Sequence, residues 1–137
     1  MVSVKSIRRI GAAAAIPPVL DHLIGPTMGV ANMPALMESA FGPDYVAAVI
    51  FFIVLGVFQL IWIGVLLKSN NSSLLVLGVV GNLFSVLIYF VSAAGVTMPF
   101  RVPPQPIFPF AILIKASEAV FILASVYVLK SVGLVVA

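Results

Sequence analysis

Four side chains able to carry charge or exchange protons, Asp21, His22, Lys115 and Glu118, are set in otherwise apolar stretches of this 137-residue chain. Asp21 follows Arg9 by twelve positions and Glu118 precedes Lys130 by twelve, so on helices both lie about 18 Å from a basic end. His22 and Lys115 fall within a turn of that level. A charge in a low-dielectric interior is costly unless paired, so such groups turn inward and meet one another. The spacing predicts one cluster of Asp21, His22, Lys115 and Glu118 between the first and last apolar segments. Lys115 and Glu118 also pair within one helix at i, i+3. Two roles fit this set: a relay for a proton or small ion, or a static salt bridge that fixes helix register. The chain has no broken-helix repeat of the transporter kind, and the static role is favoured.

A second layer is predicted nearer the basic end. Gln59 lies nine residues before Lys68 and Asn82 eight after Leu74, so both sit about 12–14 Å in. A hydrogen bond between them across adjacent antiparallel helices is expected, worth roughly 0.6 kcal/mol and seldom above ~2. A third constellation is His22 with Met28, Met33 and Met37, since imidazole and thioether ligands suit copper(I). Methionine also fills irregular apolar gaps, no M-x-x-M array is present, and packing is the favoured reading. The sequence lacks H-E-x-x-H, G-x-S-x-G, P-loop and dinucleotide motifs. It has no cysteine and a single histidine, which excludes thiolate chemistry and a His-rich haem or di-iron site within this chain. The expectation is a chain that is not an enzyme and holds no catalytic residue or cofactor of its own.

The elements that position these residues are long apolar segments. Residues 45–67, YVAAVIFFIVLGVFQLIWIGVLL, carry no charge and make a helix of roughly 34 Å, enough for a ~30 Å hydrocarbon core. Residues 74–98 and 107–129 are also long enough, and 10–28 forms a fourth segment interrupted by Pro17-Pro18. Only 8% of residues are charged, against about 25% in a soluble domain, so the outer surface is expected to face lipid. A secretory leader is the competing reading of the N-terminal segment, but no small-x-small cleavage site directly follows Leu20. With four spans and a cytoplasmic N-terminus, Lys5, Arg8, Arg9, Lys68 and Lys130 fall inside. Arg101, Glu38 and Asp44 fall outside, as the positive-inside rule expects. The reading is one all-α integral membrane domain over residues 1–137, an antiparallel up-down bundle in the cell membrane, N-in and C-in, its first helix proline-kinked. Residues 29–44 form an extracytoplasmic loop, with a short helix expected over 35–41. The basic residues are scattered apart from the N-terminal cluster, which argues against nucleic acid as a partner.

Three stripes of positions spaced by three and four gather many of the small and polar residues of the apolar segments, the first of them more weakly. They are Phe52, Gly56, Gln59 and Ile63; Gly78, Asn82, Ser85, Tyr89 and Ser92; and Ala111, Lys115, Glu118, Ile122 and Ser125. Each stripe is expected to face neighbouring helices, since acyl chains offer it no partners.

The chain resembles a loosely defined group of small four-helix membrane proteins of bacteria and archaea. The residues that carry this are His22, Phe51-Phe52 with Gln59, Gly81-Asn82, the exit Ser92…Gly95…Pro99, and Glu118. Where that group often has Arg after the exit serine, this chain has Ala93. In size, span number and general style it is also similar to the small accessory subunits of archaeal ammonia monooxygenase-type copper complexes. The resemblance implies a non-catalytic integral-membrane subunit that stabilises a larger complex. Its partners would be the lipid bilayer and other membrane subunits, with any copper held by the partner complex. The alternative is a free-standing small transporter or proton-coupled membrane protein using the Asp21, Lys115 and Glu118 set.

Overall fold

The computed structural model describes residues 3–32, 35, 38, 45–93 and 109–136. Its elements are α1 (Val4–Ala14), α2 (Ile16–Asn32), α3 (Tyr45–Lys68), α4 (Ser72–Ala93) and α5 (Pro109–Val136), all α-helical. Three of them, α3, α4 and α5, are long and apolar enough to cross a membrane. The protein is a helical bundle with the membrane-compatible character read from its composition.

The segment expected as one kinked helix is two helices. Ser3 caps the first, its Oγ accepting from the Ser6 N–H at 3.1 Å. At Ala15 the chain turns, with the Ala15 N–H reaching the Gly11 and Ala12 carbonyls at 3.1 and 3.2 Å. Pro17 and Pro18 occupy the first turn of α2, where their missing N–H groups are tolerated. The carbonyls of Ala13 and Ala14, however, lose the donors four residues on, which is the physical cause of the break. The pair also begins earlier and ends later than residues 10–28, reaching Asn32. Helix α5 runs past the expected 129 to Val136 because nothing before Gly133 interrupts it. Residues 94–108 lie outside the described set, as does most of 35–41, of which Ala35 and Glu38 are helical and exposed.

The α1–α2 leg packs against α3 on one side and α5 on the other, and α4 closes the ring between the same two helices. A core of Ala15, Leu66, Leu75, Phe121 and Val128 fills one end, flanked by Val4, Ile7, Leu129 and Val132. Both described ends of the chain therefore lie together, beside the turn that joins α3 to α4. Asn71 caps α4 from that turn, its Oδ1 accepting from the Leu74 N–H at 3.1 Å.

Glycines set how closely the helices approach. A Cβ on Gly11 would stand 2.6 Å from Ala124 Cβ, and one on Gly56 would stand 2.8 Å from Leu23 side-chain carbons. Gly78 and Gly81 together clasp the Trp62 indole, which also stacks on Phe58 with centroids 5.5 Å apart. Contact through small residues is how helices gain packing energy where lipid competes equally well for their apolar surface.

The basic end is tied by a residue whose sequence position suggests only a topology charge. Arg8 is 9% exposed, and its Nη1 donates to the Leu66 and Ser69 carbonyls at 2.6 and 2.8 Å. Its Nη2 donates to Asn70 Oδ1 at 2.7 Å. A cation on the last carbonyls of α3 meets the negative end of the helix dipole and groups the helix leaves unpaired. A sequence signal for this exists: Arg8, Gly11, Ala12 and Ala15 follow helical spacing, and all four are buried.

Candidate functional site: a buried polar network

The interior of the bundle holds hydrogen-bonding groups from all four legs. Glu118 of α5 is fully buried, and its Oε2 accepts from Lys115 Nζ at 2.8 Å. Its Oε1 accepts from Ser85 Oγ of α4 at 3.2 Å and from Gln59 Nε2 of α3 at 3.1 Å. Gln59 Oε1 lies 2.8 Å from His22 Nδ1 of α2. Gln59 Nε2 also approaches Asn82 Oδ1 at 3.4 Å, while Asn82 Nδ2 donates to the Gly78 carbonyl at 2.8 Å.

The direction of each bond follows from the donor inventory. A carboxylate only accepts, so the Gln59 nitrogen must face Glu118 and its oxygen must face His22. His22 Nδ1 therefore carries the hydrogen and donates to Gln59 Oε1. The imidazole is held further by the Phe52 ring, stacked with centroids 5.7 Å apart. Lys115 is half-buried, neutralises the Glu118 charge, and lies 5.2 Å from the centre of the Tyr89 ring. The Tyr89 hydroxyl is buried and has no hydrogen-bond partner among the described residues.

Of the four residues expected in one cluster, three come together. His22, Lys115 and Glu118 join through Gln59. Asp21 does not take part: it is exposed on the outer side of α2, one position from His22 and so turned about 100° away around the helix. Nor are there two layers. The Gln59–Asn82 contact and the Glu118 group form one network, because the height difference of about one turn is spanned by the Gln59 and Glu118 side chains. The spacing places Ser85 only on a packing seam, whereas its hydroxyl binds Glu118. Of the stripes on α3, α4 and α5, Gly56, Gln59, Gly78, Asn82, Ser85, Glu118 and Ser125 are buried, and Phe52, Ile63, Tyr89, Lys115 and Ile122 are half-buried.

Within the copper set, the His22 ring is buried and engaged with Gln59 and Phe52. Met28 is exposed, six positions on and about 120° around the helix. Met33 and Met37 lie outside the described residues.

Comparison with protein-family models, with curated proteins and with solved structures finds no match.

Proposed function

We propose that the chain crosses the cell membrane four times, with both ends on the cytoplasmic side, and serves as a non-catalytic subunit of a larger membrane complex. Support for the fourth span comes from the α1–α2 leg. It lies alongside α3 and α5, and its His22 bonds to the middle of α3, so it shares whatever medium surrounds them. Support for the inside end comes from Lys5, Arg9, Lys68 and Lys130, which belong to the end where the described termini gather.

One observation carries the static role. The two titratable ends of the network, His22 and Glu118, are separated by the Gln59 amide. Its nitrogen only donates and its oxygen only accepts, so it orients both neighbours but does not pass a proton from one to the other. Glu118 is satisfied on both oxygens by donors from α3, α4 and its own helix. Such a closed, charge-balanced network fixes the relative height of the four legs. It leaves the outer apolar faces for lipid and neighbouring subunits, and the resemblance points to an ammonia monooxygenase-type copper complex as the assembly. The second reading, a proton-coupled transporter, rests on the same Lys115–Glu118 pair.

Extraction from native membranes in mild detergent, followed by sizing, tests the proposal. A discrete large assembly with other polypeptides is expected; a lone monomer or small homo-oligomer overturns it. In Glu118→Gln, lost assembly supports the structural role, whereas intact assembly with lost transport supports the relay.

A further inference from the structure

The outer face of α2 carries one charge in otherwise apolar surroundings. Asp21 is exposed there together with Pro17, Leu20, Ile24, Gly25 and Met28. Its neighbour His22 is bonded to Gln59, which lies about 13 Å along α3 from Lys68 and about 21 Å from Tyr45. Asp21 thus stands at the level of the internal network but faces outward. In a bilayer spanned by α3, α4 and α5 that level is hydrocarbon, where a lone carboxylate is strongly disfavoured.

The described part of the chain supplies no relief. Among the described residues, Asp21 makes no hydrogen bond and no ion pair. Lys5, Arg8, Arg9, Lys68 and Lys130 belong to the end where the described termini gather, and Lys115 is bound to Glu118 inside the bundle. One turn along from Asp21 the surface is open, since a Cβ on Gly25 would meet only Asp21 Oδ1, at 3.9 Å. Pro26, with no N–H, withholds the usual helical donor from the His22 carbonyl beside this slot.

We propose that this face of α2 seats a transmembrane helix of another polypeptide, which sets an arginine or lysine against Asp21 and packs closely over Gly25. The inference rests on the membrane-subunit reading above. A second copy of this chain is the wrong occupant, because among the described residues it offers no free cation at this depth and an isologous contact would oppose two carboxylates.

The test uses the full chain reconstituted in phosphatidylcholine vesicles with designed polyleucine helices bearing a central arginine, leucine or glutamate. Association is read by energy transfer. The arginine helix is expected to bind about tenfold more tightly than the leucine helix, a modest share of the cost of an unpaired charge at mid-bilayer. Asp21→Leu and Asp21→Asn should abolish that preference without unfolding the bundle, since the side chain is exposed and makes no hydrogen bond among the described residues. Equal binding of the three helices, or a preference that survives in both variants, overturns the proposal. A nitroxide on Ile24→Cys distinguishes failure of the four-span reading from failure of the docking proposal, the native chain having no cysteine. A label reached by a water-soluble nickel chelate rather than by oxygen overturns the four-span reading and the docked helix with it. A lipid-exposed label with no arginine preference overturns the docked helix alone.

Discussion

Replacing Gln59 by leucine removes the centre of the network while nearly preserving side-chain volume. Three contacts disappear: His22 Nδ1 at 2.8 Å, Glu118 Oε1 at 3.1 Å and Asn82 Oδ1 at 3.4 Å. At about 0.6 kcal/mol for an average hydrogen bond between membrane helices, these sum to roughly 2 kcal/mol. The orphaned His22 N–H adds to this, because a buried donor without an acceptor costs about 1–3 kcal/mol. Glu118 keeps Ser85 and Lys115, so its charge remains partnered. The expected loss is therefore about 3–5 kcal/mol, measured by unfolding in detergent micelles with a rising fraction of dodecyl sulfate. Adding His22→Leu should cost less than the two single losses summed, by about 1 kcal/mol, because the second change deletes a group already stranded. A Gln59→Leu loss below about 0.6 kcal/mol, or strict additivity in the pair, would refute the view that this network holds the legs in register.

The other predictions concern the seams, the basic end and the topology. In Gly81→Val the added carbons run into the Trp62 ring already confined by Gly78, so a loss of about 1–3 kcal/mol and a shift in the emission of this lone tryptophan are expected. Trp62→Leu in the same chain should recover much of that loss. Arg8→Ala strips three donated hydrogen bonds from the end of α3 and its turn and should cost about 2 kcal/mol, whereas exposed Arg9→Ala should stay within about 0.5 kcal/mol. Equal effects of the two arginine changes in thermal unfolding would show that the α3 contacts carry no weight. Ser3→Cys and Gly133→Cys should both resist an impermeant maleimide in intact cells and react after permeabilisation. Labelling of one but not the other before permeabilisation would contradict an even number of crossings.

Much of the bundle was legible because an apolar interior and an apolar outer surface both write themselves into composition. Long runs without charge identify α3 and α4, and with one internal pair α5. Steps of three and four residues pick out the inward faces that hold Gln59, Asn82, Ser85 and Glu118. Proline spacing located the break in the first leg, although not that it yields two helices, since that depends on how Ala15 is held by the preceding turn.

Sequence by itself determined which groups are too polar to be left alone in such surroundings: His22, Gln59, Asn82, Lys115 and Glu118 announce themselves by chemistry. It anticipated the Lys115–Glu118 pair and the Gln59–Asn82 contact, but not the bonds from Gln59 and Ser85 to Glu118 or from His22 to Gln59. Counting residues along separate helices gives height but neither the rotation of each helix nor the reach of its side chains. That is why two predicted layers are one network and Asp21 faces away from His22. Arg8 shows the same limit, because a cation near a chain end carries the same letter whether it meets water or the carbonyls of a neighbouring helix. Only the packing of the legs, set by close approach at Gly11, Gly56, Gly78 and Gly81, decided which of these groups would meet.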